Sequence, residues 1–141
     1  MSVSDRDALV ALHYRYADAV RAGAQAGEAD WAATWVPDAT WVLPGRSVTG
    51  LDNILAVWRT SMAKQVHVVQ LYLSATFDID GDTASGRAQL VELVSSVDGT
   101  QGTLAGHYDD TYRRTADGWR FTSRALTIYY RGAPDLSGTF A

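Results

Sequence analysis

The sequence predicts an α+β fold: three helices packed on the concave face of a strongly curved antiparallel sheet, with a pocket between the two layers. Three observations carry this. Apolar residues recur at helical spacing through the first part of the chain, and near Gln65 the period changes to two. Four long runs with strand character follow. They are separated by "DGD" (Asp80 to Asp82), "DGTQG" (from Asp98) and "ADG" (Ala116 to Gly118), residues that supply the backbone conformations of tight hairpins. Helices followed by an antiparallel meander place the helices on one sheet face. Short side chains cannot fill the concave side of such a sheet, so a ligand-sized space is expected there.

The elements follow in order. In "SDRDALVALHYRYADAVRAG", Ser4 caps a helix whose first turn carries Asp5 and Asp7, where negative charge suits the helix dipole. Leu9, Leu12, Tyr16 and Val20 form its buried stripe, and Gly23 is a plausible stop. "EADWAATW" reads as a short second helix carrying Trp31 and Trp35. "VPDATWVLPG" is a turn and then a short strand. "LDNILAVWRTSMAK" is a third helix, with Leu51, Ile54, Leu55 and Trp58 on one face. The four strands are "QVHVVQLYLSATFDI", "TASGRAQLVELVSSV", "GTLAGHYDDTYRRT" and "GWRFTSRALTIYYRG". The tail "APDLSGTFA" carries no strong signal. No repeat or second domain is visible, and residues 1–141 read as one domain.

Composition excludes several classes of function. The chain is 47% hydrophobic and 20% charged, as expected of a globular protein that buries a core. A net charge of -4 argues against nucleic acid as a partner. There is no cysteine, hence no disulfide or thiolate chemistry. Three histidines and scattered carboxylates show no metal-ligand spacing, and no phosphate loop, nucleophile elbow or dinucleotide fingerprint occurs. No metal or other cofactor is expected. "MSVSDRDALV" lacks a secretion signal and no apolar run reaches membrane-spanning length, so a cytoplasmic protein without a membrane partner is expected.

The candidate site residues each carry two readings. In a regular strand His67 shares a face with Val69, Leu71, Leu73, Ala75 and Phe77, and so points inward. It is either a general base, since imidazole titrates near neutral pH, or a buried structural histidine. Asp18 is either catalytic or one half of a solvated ion pair with Arg21 or Arg15. Glu92 shares a face with Ala88, Leu90 and Val94. If buried without a cation its pKa rises, which suits a proton donor; the alternative is an exposed strand residue. Asp110, in phase with Tyr108 and Tyr112, is a polar pocket group or the partner of an arginine. The five tryptophans suit a core, and Trp35, Trp41 and Tyr16 suit a pocket wall as well. His13 fits packing of helix on sheet, and His107 fits the surface or an interface. Strands apolar on both faces, as in Val91 and Leu93 against Leu90 and Val94, predict a homo-oligomer through the outer face of the sheet.

"YADAVRAGAQAGEADWAATWVPDATW", the His-bearing strand, "DIDGDTASGRA", "GHYDDTYRRTADGWRF" and "SRALTIYY", in that order, resemble a SnoaL-like domain of the nuclear transport factor 2-like superfamily. The resemblance covers nearly the whole chain. It implies a cone-shaped α+β barrel with a deep apolar pocket, no cofactor, and a dimeric or trimeric state. It also implies lyase, isomerase or cyclase chemistry of the kind run by scytalone dehydratase, bile acid dehydratase and lindane dehydrochlorinase. In those lyases an Asp near the end of the first helix orients a strand His that removes a proton. His67 matches this histidine by type and strand; Gln70 matches it by distance from "DGDTA". Counted without gaps the Asp position falls on Ala24, and the nearest carboxylates are Asp18, Glu28 and Asp30. By the same resemblance Tyr14 bonds a substrate carbonyl, Trp41 and Arg124 line the pocket, and Glu92 is a pocket carboxylate. The expected activity is cofactor-independent acid–base chemistry on a small, largely apolar cyclic metabolite. A non-catalytic binding or assembly module of the same fold is the alternative.

Overall fold

The computed structural model describes residues 2–141. Helix α1 (Asp5–Ala26) starts where the Ser4 hydroxyl accepts the Asp7 N–H, and it buries Leu9, Leu12, His13, Tyr16 and Val20. At Gly23, with φ 93 and ψ 174, the helix is interrupted, so the expected stop appears as a kink. Gly27 follows where the backbone is crowded: a Cβ there would lie 1.9 Å from the Ala19 carbonyl oxygen. Helix α2 (Glu28–Ala32) is shorter than expected, and Trp35 opens strand β1 (Trp35–Leu43) instead of closing a helix. Then come β2 (Arg46–Thr49), α3 (Leu51–Met62), β3 (Gln65–Asp80), β4 (Thr83–Ser96), β5 (Gln101–Thr115), β6 (Gly118–Gly132) and the two-residue β7 (Thr139–Phe140).

The strand order is β2-β1-β6-β5-β4-β3, with β7 paired to β6. This corrects two expectations. The sheet is mixed, because β1 runs parallel to β6, whereas an all-antiparallel sheet was expected. It is also an open sheet with β2 and β3 as its ends, not a strongly curved, closed cone. Hairpin turns announce pairing only between sequence neighbours. The β1–β6 pairing is joined by a long crossover through α3 and the meander, and no turn encodes it.

The inner face is built of cross-strand rows, since directly paired residues share a face. One row runs Gln70, Glu92, Leu104, Arg131; the next runs Tyr72, Leu90, Gly106, Ile128. A third is Ala75, Ala88, Tyr108, Leu126, and a fourth is Phe77, Gly86, Asp110, Arg124. Two irregularities in β3, between Gln65 and His67 and between Tyr72 and Ser74, break its two-residue alternation. Against these rows pack Leu9, Leu12 and Tyr16 from α1 and Ile54 and Trp58 from α3. Trp31 stacks on Trp58 with centroids 4.6 Å apart and planes 11° from parallel, and meets Trp35 and Trp41 edge-on. Such ring pairs add to the burial of their area.

The start of α1 is clamped to the far end of the sheet. Arg114 donates to Asp5 Oδ1 (2.7 Å) and to Asp82 Oδ1 (2.9 Å), and Trp119 Nε1 donates to Asp5 (3.1 Å). The Arg114 and Trp119 donors lower the Asp5 carboxyl to about 2. Among the described residues no helix is long and apolar enough to cross a membrane.

Candidate functional site

A cavity of about 300 Å³ opens between α1, α3 and the inner face of the sheet. Tyr16 and Val20 line it from α1, Trp58 and Met62 from α3, and Trp41 and Leu43 from β1. The sheet contributes Gln70, Glu92, Tyr108 and Arg131, with Leu90 and Leu126 between them. The walls thus combine apolar and aromatic side chains with a comparable share of polar surface.

Glu92 is the only carboxylate among the lining residues. Gln70 Nε2 donates to its Oε2 at 2.8 Å. Burial pushes the Glu92 carboxyl up; the Gln70 amide and the Arg131 charge pull the other way without cancelling it. Trp41 Nε1 donates to the Tyr108 hydroxyl at 3.4 Å, a long bond that uses the phenol as acceptor and leaves its proton for a partner in the cavity.

Behind this wall runs a buried polar chain. Tyr72 donates to Gln70 Oε1 (3.3 Å), and Arg124 Nη1 donates to Tyr72 (2.9 Å). Arg124 forks onto Asp110, with Nε to Oδ1 at 2.7 Å and Nη2 to Oδ2 at 3.2 Å, and both side chains are fully buried. The guanidinium lies 3.9 Å from the centre of the Tyr108 ring and 4.3 Å from that of Phe121. Burial disfavours the charge on Arg124, but the adjoining Asp110 carboxylate overrides it and holds the guanidinium above its ordinary pKa. The same burial pushes the Asp110 carboxyl up, with Arg124 opposing. The pair is ionic at neutral pH, because a neutral Asp110 would strand a buried guanidinium.

The chain fixes a tautomer at its far end. Arg124 Nη2 can only donate, so His13 Nδ1, 3.4 Å away, is the acceptor and the imidazole proton sits on Nε2. His13 Nε2 then donates to the Tyr112 hydroxyl (2.7 Å), and Tyr112 donates to Asp110 Oδ2 (3.3 Å). Burial, and secondarily the Arg124 charge, lower His13 to about 2. Folded His13 therefore stays neutral where the unfolded residue, near 6.5, takes up a proton. The unfolded state binds more protons below that pH, so this residue's contribution to stability falls as pH falls. The expected loss is about 2 kcal/mol between pH 7 and pH 5. Urea unfolding of the wild type and of His13→Gln at both pH values checks it: the variant is less stable at pH 7 but has the shallower pH slope. Equal slopes would refute the assignment.

The expected site residues fall into three groups. Glu92, Tyr16 and Trp41 line the cavity. Asp110 and Arg124 are buried behind it as an ion pair, and Trp35 is buried among Tyr16, Trp31 and Phe121; none of the three lines the cavity. His67, Tyr14 and Asp18 are outside. His67 was expected to point inward, but the bulge between Tyr72 and Ser74 inserts one residue and reverses the phase, so that Val68, Gln70 and Tyr72 face in. His67 is exposed and, among the described residues, makes no side-chain hydrogen bond or ion pair. Tyr14 is 56% exposed and does not line this cavity. Asp18 is exposed and 3.8 Å from Arg21, Glu28 pairs with Arg59, and Asp30 is exposed, so none of them orients an imidazole. Tyr108, Gln65, Arg46 and Arg131 also line the cavity and were not expected there; only their place in the sheet reveals them. Among the described residues no three His, Asp or Glu side chains cluster as metal ligands.

A family model for the SnoaL-like domain matches residues 1–125, and the chain belongs to that family, whose fold is nuclear transport factor 2-like. No curated protein matches the sequence. Among solved structures, a proposed aromatic ring hydroxylase from Novosphingobium aromaticivorans is similar at 27% identity and TM-score 0.85, covering 99% of this chain and 96% of its own. A proposed scytalone dehydratase from the same organism aligns at 16% identity and TM-score 0.84, over 96% and 91% of the two chains. The hexachlorocyclohexane dehydrochlorinase LinA-type3 from Novosphingobium barchaimii aligns at 19% identity and TM-score 0.75, over 97% and 96%. At those identities the last two share the fold alone.

Proposed function

We propose that the cavity is the active site of a cofactor-independent acid–base enzyme acting on a small, largely apolar cyclic molecule. The observation that carries this reading is Glu92, the one carboxylate among the residues that line the cavity, held by Gln70 and with its pKa raised by burial. Glu92 takes over the role expected of His67. One carboxylate oxygen is held by Gln70, and the other accepts a proton from a carbon beside a substrate carbonyl. The electron pair moves onto the carbonyl oxygen, where the Tyr108 hydroxyl donates to the developing charge. The protonated carboxyl then returns its proton, either to a departing hydroxyl, giving water and an alkene, or to a second carbon, giving an isomer. The fold is shared with proteins named as a dehydratase and a dehydrochlorinase, whose named reactions are eliminations.

The test is a panel of cyclic ketones and β-hydroxy ketones incubated with the protein in deuterated buffer and followed by NMR. Enzyme-dependent deuterium uptake or loss of water supports the reading. A second reading, a binding module without catalysis, draws on the lack of any His lining the cavity; it predicts binding of panel members with no exchange in any of them.

We further propose a homodimer or homotrimer through the outer sheet face. Leu71 at 46% and Leu93 at 45% exposure leave that face apolar along β3 and β4. Sedimentation at micromolar concentration is expected to give a species larger than the 15.3 kDa chain, and Leu71→Lys with Leu93→Lys to return it to that mass. A wild type that sediments only as the monomer removes the proposal.

A further inference from the structure

The cavity wall carries donor side chains beyond Gln70, Trp41 and Tyr108. Arg131 pairs across the sheet with Leu104, a lining residue, and so shares its inward face; Arg46 stands opposite Leu43 in the β1–β2 hairpin in the same way. Both arginines line the cavity. Among the described residues neither has a carboxylate within 4.0 Å, and the same holds for Arg6, Arg15 and Arg120, whereas Arg21, Arg59, Arg87, Arg113, Arg114 and Arg124 are ion-paired. What sets the exposed Arg46 and Arg131 apart from those three is that they line this cavity together. Gln65 adds to them: its Oε1 accepts from Ser96 (2.9 Å), so its amide nitrogen is free to donate into the same space. Glu92 lies in the same row as Arg131, two strands away, or about 10 Å along the sheet.

We propose that the ligand of this cavity is an amphipathic anion: a flat apolar ring held by Trp41, Trp58 and Tyr108, with a carboxylate seated between Arg46 and Arg131. The inference rests on the cavity being the active site and adds the charge of the substrate and its orientation. A carboxylate at the two arginines is drawn by charge and by the forked donor geometry that guanidinium offers. It also sits away from Glu92, so the substrate does not bring its own charge against the proton-moving carboxylate. The reacting carbon therefore lies at the ring end of the ligand, several bonds from the carboxylate.

Isothermal titration with 2-naphthoate and with its neutral isostere 2-naphthamide tests this without any turnover. At low salt the wild type is expected to bind the naphthoate about tenfold more tightly than the amide. Arg46→Met and Arg131→Met each shrink that preference and the double variant abolishes it, with a smaller loss for the amide than for the naphthoate. Glu92→Gln is expected to retain naphthoate binding, because the ligand carboxylate is seated away from Glu92. Equal affinity for the two probes, a preference that survives loss of both arginines, or no binding of either probe would overturn the proposal. Failure of Glu92 as the proton carrier would leave the anion preference intact, so the two readings fail separately.

Discussion

Glu92→Gln is expected to lower turnover on any confirmed substrate by about two or more orders of magnitude, the usual worth of a general base. The substitution keeps the shape of the side chain and a hydrogen-bonding amide in place of the carboxylate, so the fold should be retained. It loses only the ability to accept a proton. The wild-type pH–rate profile carries the same information. A base must be ionised to act, so kcat/KM rises with pH, and burial moves the midpoint of that rise above the ordinary glutamate value of 4.5. The rise vanishes in the variant. Gln70→Ala, which removes the donor to Oε2, should shift the midpoint further up, because an ionised carboxylate loses its hydrogen bond. A Glu92→Gln protein with wild-type turnover would end the acid–base mechanism as drawn.

The second large effect is on stability. Asp110→Asn leaves the Arg124 guanidinium fully buried with no counter-charge, and is expected to cost about 3–5 kcal/mol. In a chain of this size that corresponds to a fall of about 10–17 °C in Tm. Arg124→Met alone strands the carboxylate and should cost as much. The double variant Asp110→Leu with Arg124→Met is expected to recover most of the loss, since an apolar pair no longer has to keep two charges out of water. Thermal melts of the wild type, Asp110→Leu, Arg124→Met and the double variant form a complete cycle. If the double variant is as unstable as the sum of the single ones, the two residues are not coupled and the reading of the buried chain is wrong.

The helices, the four long strands and the space between the layers were legible in the sequence because each has a local signature. Ser4 as a cap, the Leu9–Tyr16 stripe and the Gly–Asp turns are all read within a few residues. The parallel pairing of β1 with β6 was not legible, because its two members lie about eighty residues apart with no turn to join them. Glu92, Tyr16 and Trp41 were found by phase and by family resemblance, and they line the cavity. Arg124 and Asp110 were recognised as polar groups on the inner face, but sequence cannot distinguish the surface of a cavity from the layer behind it. His67 was misplaced by a single inserted residue. A bulge in a Val- and Leu-rich strand carries no compositional mark, and the alternation beyond it looks regular in either phase.

That inserted residue also bears on how this wall can change by descent. With β3 anchored at Ala75 and Phe77, an unbroken alternation would aim His67, Val69 and Leu71 inward; the extra residue at Leu73 aims Val68, Gln70 and Tyr72 there instead. A slip of one position along β4 therefore exchanges an entire set of wall groups at once, including the amide that holds Glu92. Point substitution alters one such group at a time. Gain or loss of a single codon near Leu73, compensated elsewhere in β3, re-equips the wall in one event, and it also replaces Val68 and Tyr72 where they meet the core.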